Sequence, residues 1–112
     1  AVVQSAVLYE LRVLIDEEAM SQAEHTCLFL KYATKDIKFI GSPTNGTNGD
    51  ITNLSLPGGI YIYFSGQGVR HPDGRRVQRK GIQPDLTVRP TVAGIAAGRD
   101  EVLERALRDL AR

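Results

Sequence analysis

Tryptophan is absent from this chain, and cysteine and methionine occur once each. A lone cysteine, Cys27, permits no internal disulfide, so packing and hydrogen bonds must hold the fold. Its place on the apolar side of a predicted helix marks it as a core residue. No apolar run approaches the roughly 18 residues that a membrane span needs. Neither sign of charge dominates: 14 Lys and Arg face 13 Asp and Glu, a net charge of +1, which argues against a dedicated binder of polyanions. Arg75, Arg76, Arg79 and Lys80 form a basic cluster without interleaved aromatics and read as a solvated hairpin edge, with no nucleic-acid partner. Asp73 and Asp85 lack neighbouring ligands at metal-site spacing, so no metal and no cofactor is expected. The first residues, Ala1-Val2-Val3-Gln4-Ser5, carry neither a basic region nor a small-residue cleavage pattern, and no initiator Met.

What remains is the length of one domain, 112 residues, with an ordinary 42% hydrophobic and 24% charged content. Residues 2–11 have helix-like apolar spacing, with an extended alternative from Ala6 onward. Arg12–Ile15 reads as a short buried strand, followed by a turn and a helix ending near Ala33 with Ala23, Cys27, Leu28 and Leu30 inward. Ile37–Gly41, Ile51–Leu56 and Ile60–Ser65 read as strands, the second half-buried and the third carrying Tyr61, Tyr63 and Phe64 as core or half-buried residues. Pro57-Gly58-Gly59 and His71-Pro72-Asp73-Gly74 are turns, His71 being a solvated loop residue. Ser42–Asp50 is a turn-rich loop without the Lys of a phosphate-binding loop. Near Arg99 a C-terminal helix begins, with Val102, Leu103, Ala106, Leu107, Leu110 and Ala111 on one face.

Chemistry concentrates at Ser21-Gln22-Ala23-Glu24-His25. Ser21 stands at a strand-to-helix turn, where helix N–H groups and peptide dipoles stabilise a developing oxyanion. The same four residues match the S-x-x-E capping box, in which the hydroxyl satisfies a backbone donor. Periodicity leaves both readings open. His25, four residues on, is a candidate base whose ring points along the helix.

Six pieces, in order, resemble the C-terminal half of the catalytic domain of tail-specific (C-terminal processing) serine proteases, including the tricorn-core-like branch. They are Val13-Leu14-Ile15-Asp16, Ser21-Gln22-Ala23-Glu24, Phe39-Ile40-Gly41-Ser42-Pro43-Thr44, Leu56-Pro57-Gly58-Gly59, Pro72-Asp73-Gly74 and Gly81-Ile82-Gln83-Pro84-Asp85. The resemblance implies a ClpP/crotonase-like α/β half-domain: a short mixed sheet, a nucleophile-bearing helix and a C-terminal amphipathic helix. Residues 1–112 would be the C-terminal part of one peptidase domain, lacking its upstream half and any PDZ module. It further implies Ser21 as nucleophile, the Gln22 N–H as oxyanion donor, and Glu24 as a helix-cap partner. Gly46, Thr47, Gly58 and Gly59 would line the substrate. Thr47 stands where one branch carries a Lys base, and Gln78 where the other carries an acid, so Gln78 is left as an orienting residue. The implied reaction is acyl transfer on peptide or protein substrates in an extracytoplasmic compartment. The upstream half, or a second copy, would complete the site. The rival reading is a non-catalytic ligand- or peptide-binding module on the same fold; a third is a structural or assembly fragment.

Overall fold

The computed structural model describes residues 10–111. The expected helix over 2–11 falls mostly outside them, and Leu11 already belongs to strand β1, Leu11–Ile15. Next come helix α1, Gln22–Ala33, and strand β2, Ile37–Gly41. Strands β3, Ile51–Leu56, and β4, Ile60–Ser65, follow. The chain then forms β5, Leu86–Thr87, helix α2, Val92–Ala96, and helix α3, Glu101–Leu110.

β1, α1 and β2 form a parallel β-α-β unit, Leu11 pairing with Ile37 and Ile15 with Gly41. β5 adds to the far edge of β2, so the sheet order is β1-β2-β5 and every pairing in it is parallel. Antiparallel pairing is confined to a separate β3–β4 hairpin. The core lies where α1 meets the sheet: Ile15, Cys27, Leu28, Phe39, Val77 and Ile82. Cys27 is buried there, as expected, and burial pushes its thiol upward, helped by the charge of Glu24. α1 buries Glu24, Cys27 and Leu28 but leaves Ala23 exposed.

Two sequence expectations fail on burial, at the β3–β4 hairpin and at His71. Every residue from Ile51 to Gly68 is exposed, including Tyr61, Tyr63 and Phe64 at 61, 65 and 50%. The hairpin register explains the pattern: Thr52, Leu54, Leu56, Ile60, Ile62 and Phe64 share one face, and no described residue packs beneath it. α3 lies on β1 and β2, yet Leu103, Leu107 and Leu110 are exposed while Ala106 and Asp109 are buried. Beside Ala106, its inward face is ionic: the Asp109 carboxylate receives Arg12 Nε and Lys38 Nζ. His71, finally, is buried at 7%.

β5 and α2 were not expected. A two-residue strand has no readable alternation, and Asp85 rather than hydropathy fixes it. The Asp85 N–H donates to the Phe39 carbonyl at 2.7 Å and its carboxylate accepts the Phe39 N–H at 2.8 Å. α2 is set by Thr91, whose hydroxyl caps the Gly94 N–H at 2.9 Å.

Candidate active site

Ser21 is the N-cap of α1 and has φ 50°, ψ −112°. That is the first corner of a type II′ turn, a conformation that normally requires glycine and costs another residue on the order of 1–3 kcal/mol. The sharp turn leaves Ser21 exposed. Its hydroxyl faces the Glu24 amide as a capping box arranges it, yet makes no capping hydrogen bond. An ordinary cap adopts extended backbone, so capping by itself does not call for the positive φ of Ser21.

Helix geometry leaves four N–H groups to be satisfied here. The Ser21 N–H donates to Glu24 Oε2 at 3.1 Å. The Ala23 N–H donates to the Met20 carbonyl and the His25 N–H to the Ser21 carbonyl, each at 3.1 Å. The Glu24 N–H faces the Ser21 hydroxyl, and the Gln22 N–H has no acceptor among the described residues. It is the donor that the resemblance assigns to the oxyanion.

Glu24 does more than cap. It is fully buried at 0% exposure, and four donors converge on its carboxylate. Oε1 accepts the Thr44 hydroxyl and the Gly46 N–H, both at 2.6 Å. Oε2 accepts the Thr47 N–H at 3.0 Å besides the Ser21 N–H. One oxygen thus places the backbone nitrogens of Ser21 and Thr47 within about 6 Å of each other, two hydrogen-bond lengths. Glu24 ties the nucleophile turn to the 42–47 loop. Other bonds reinforce this tie, with the Asn45 N–H on the Ala19 carbonyl at 2.9 Å and the Ser42 N–H on the Ile15 carbonyl at 3.1 Å. The Ser42 hydroxyl donates to Glu17 at 2.7 Å, which holds that carboxyl below its usual range.

The loop's backbone explains two of its motif glycines. Gly46 has φ +81°, and a Cβ there would stand 2.9 Å from the Arg79 nitrogen. Gly81 has φ +72°, and its Cβ would lie 2.2 Å from the Thr44 carbonyl oxygen. Thr44 closes the arrangement by accepting the Ile82 N–H at 2.7 Å.

Several sequence expectations are corrected here. The Gly46 N–H is spent on Glu24, its carbonyl accepts the Arg79 N–H, and the Thr47 N–H is spent too. Neither backbone donor is left for a substrate. Gly58 and Gly59 form the exposed tip of the β3–β4 hairpin, with positive φ for the turn and open space around them. Gln78 does not hydrogen-bond Ser21: its amide accepts the Val69 N–H at 3.1 Å and donates to the Gln67 carbonyl at 2.8 Å. His25 Nδ1 is 3.3 Å from Asn48 Nδ2, and its ring stands edge-on to Phe29 at 4.7 Å. The His71 Nδ1 lies 2.8 Å from the Tyr32 hydroxyl, with burial, and then Lys31 and Arg75, holding the imidazole below its usual range. Sequence reasoning missed Thr44 and Asn48 as site supports; the S-x-x-E and Gly-Ser-Pro-Thr motifs were the only signal for their joining. Among the described residues no group of three metal ligands occurs, and no helix is long and apolar enough to cross a membrane.

A family model described as peptidase family S41 matches residues 4–88. A candidate peptidase from Parabacteroides merdae superposes with TM-score 0.82 at 25% identity, over 92% of this chain and 32% of that one. The tricorn protease superposes at 0.73 and 21% identity, over 90% of this chain and 10% of its own. The photosystem II D1 C-terminal processing protease gives 0.62 and 25%, over 74% and 21%. The chain thus spans a third or less of the length of these structures. No curated protein sequence matches it.

Proposed function

The chain belongs to peptidase family S41, and from that membership we propose that it is the nucleophile-bearing, C-terminal part of a serine peptidase domain. The observation that carries this reading is the exposed Ser21 at φ 50°, ψ −112°, beside the unused Gln22 N–H. Ser21 Oγ adds to a peptide carbonyl, and the Gln22 N–H receives the negative oxygen. The C–N bond then breaks as the amine takes a proton, and water hydrolyses the ester. Glu24 holds the turn in place without touching substrate.

A serine hydroxyl needs a neighbouring base to attack at neutral pH. His25 is turned to Asn48 and Phe29, His71 is paired with Tyr32, and Thr47 offers only a hydroxyl. The base and second oxyanion donor therefore come from outside residues 10–111, from an upstream half or a second copy. The proposal further holds that the substrate is a peptide or protein and, by resemblance, that the compartment is extracytoplasmic. The rival reading, a non-catalytic binding module, draws on Gln78, whose amide is wholly engaged with residues 67–69 where an acid would otherwise activate the serine.

A fluorophosphonate probe on the full-length protein separates the two. Ser21 labelling that disappears in Ser21→Ala is the expected result. Labelling unchanged in that variant removes Ser21 as nucleophile, and no labelling of the parent protein favours the binding module.

A further inference from the structure

We propose that Arg79 is a specificity-determining residue, pairing with an acidic side chain of the substrate close to the cleaved bond. This rests on Ser21 as nucleophile and goes on to name a substrate feature. Among the described residues only Ser21 and Arg79 hold a positive φ without being glycine, at 50° and 67°. One peptide unit, Gly46–Thr47, links the two. Its Thr47 N–H shares Glu24 Oε2 with the Ser21 N–H, at 3.0 and 3.1 Å, and its Gly46 carbonyl accepts the Arg79 N–H at 2.7 Å.

Those bonds limit the separation. Oxygen and nitrogen of one peptide unit are about 2.3 Å apart, so the Arg79 nitrogen lies no more than about 11 Å from the Ser21 nitrogen. An extended arginine carries its guanidinium about 6 Å from Cα. A bound peptide in extended form advances about 3.3 Å per residue, which puts its second and third residues about 7–10 Å from the attacked carbonyl. That stretch of substrate is within the guanidinium's range.

The arginine stands at position 79 against backbone preference. A left-handed φ is unfavourable for arginine and free for glycine, and Gly46, Gly74 and Gly81 meet the same demand nearby, at φ 81°, 90° and 72°. The bond to Gly46 uses only the Arg79 backbone, so glycine would serve this turn better. What arginine adds is its guanidinium. The residue is exposed, and among the described residues that group makes no ion pair and no side-chain hydrogen bond. Charge sets the partner. Arg76 and Lys80 are exposed beside it, and no acid occurs from Gly74 to Pro84. Asp73 is taken by Arg75, and Asp85 accepts the Phe39 N–H at 2.8 Å. The field over this turn is positive, and a planar guanidinium matches the two oxygens of a carboxylate.

The test uses the full-length protein and two pools of nine-residue peptides, randomised among neutral residues around a central Glu or a central Gln. The pools compete with a fluorophosphonate probe for Ser21. The Glu pool should halve the labelling rate at about a fivefold lower concentration than the Gln pool, the upper end for a solvent-exposed ion pair. Salt at about 1 M, where the Debye length is about 3 Å, should shrink that ratio. Arg79→Lys should keep the preference and Arg79→Gln should remove it. Arg79→Gly separates charge from structure: relief of the positive φ should raise its urea midpoint while the preference disappears. A merely structural Arg79 would leave the ratio of the two pools intact in every variant. Equal protection by the two pools in the parent protein, or a ratio unmoved by Arg79→Gln, overturns the proposal. Labelling of Ser21 without discrimination between pools is the failure of Arg79 alone; a parent protein that is not labelled at Ser21 is the failure of the nucleophile, and the proposal falls with it.

Discussion

Replacing Glu24 by glutamine keeps the side-chain shape and removes one acceptor oxygen. The magnitude follows from four donors. Thr44 and Gly46 point at one oxygen from 2.6 Å, and Thr47 and Ser21 at the other from 3.0 and 3.1 Å. Glutamine must turn its NH₂ toward one pair, leaving two donors facing a donor. Each orphaned buried donor costs about 1–3 kcal/mol, giving a range of roughly 2–6 kcal/mol. The side chain will keep its oxygen on the buried Thr44–Gly46 pair, because exposed Ser21 and Thr47 have access to water. The lower end, about 2–3 kcal/mol, is therefore expected. For a domain of this size that lowers Tm by about 8–20 °C. Thermal and urea unfolding of Glu24→Gln measure it. Ser21 should also react more slowly with fluorophosphonate, because its N–H has lost the tether that holds the turn. A variant within about 0.5 kcal/mol of the parent, with an unchanged labelling rate, would refute the claim that Glu24 joins the nucleophile turn to the loop.

Ser21→Gly relieves the positive φ and should raise stability by about 1 kcal/mol while abolishing labelling; urea unfolding that shows a loss instead argues against strain at this turn. Gly81→Ala places a Cβ 2.2 Å from the Thr44 carbonyl oxygen and should destabilise by about 3 kcal/mol or more, read from the urea midpoint. For His71 the sign is fixed by burial: the folded imidazole sits below its ordinary value near 6.5, so the unfolded chain binds the extra proton. Stability is then full above about pH 7 and falls as pH drops through 6.5. Urea midpoints between pH 7.5 and 5.5 should decline in the parent and flatten in His71→Gln, and an equal decline in both would assign the effect elsewhere. Glu17, Asp73 and Glu104 are held below the usual carboxylate range and lose their contribution only at lower pH, outside that window.

Elements with a strong local pattern were legible without coordinates. α1 ends at Ala33, and β2, β3 and β4 have the residue limits that β-branched content and turn residues imply. Burial was far less legible. Alternation in Ile51–Leu56 and Ile60–Ser65 reports which side chains share a face, not whether anything covers that face. The apolar stripe of α3 is covered only in part: Ala106 is buried beside the Asp109 carboxylate, which meets Arg12 and Lys38, while Leu103 and Leu107 are exposed. His71 looks like a loop histidine because burial by Tyr32, from a helix 39 residues earlier, leaves no mark on its neighbours.

By itself the sequence determined where the turns fall, which segments are helical or extended, and that Ser21 begins a helix with Glu24 three residues on. Those are local matters of dihedral preference and periodicity, settled among residues close in the chain. Only the tertiary structure decided what Glu24 does. Its four donors come from positions 21, 44, 46 and 47, and folding alone brings that loop to the helix end. The same long-range closure holds Ser21 in a backbone conformation that no local preference would select.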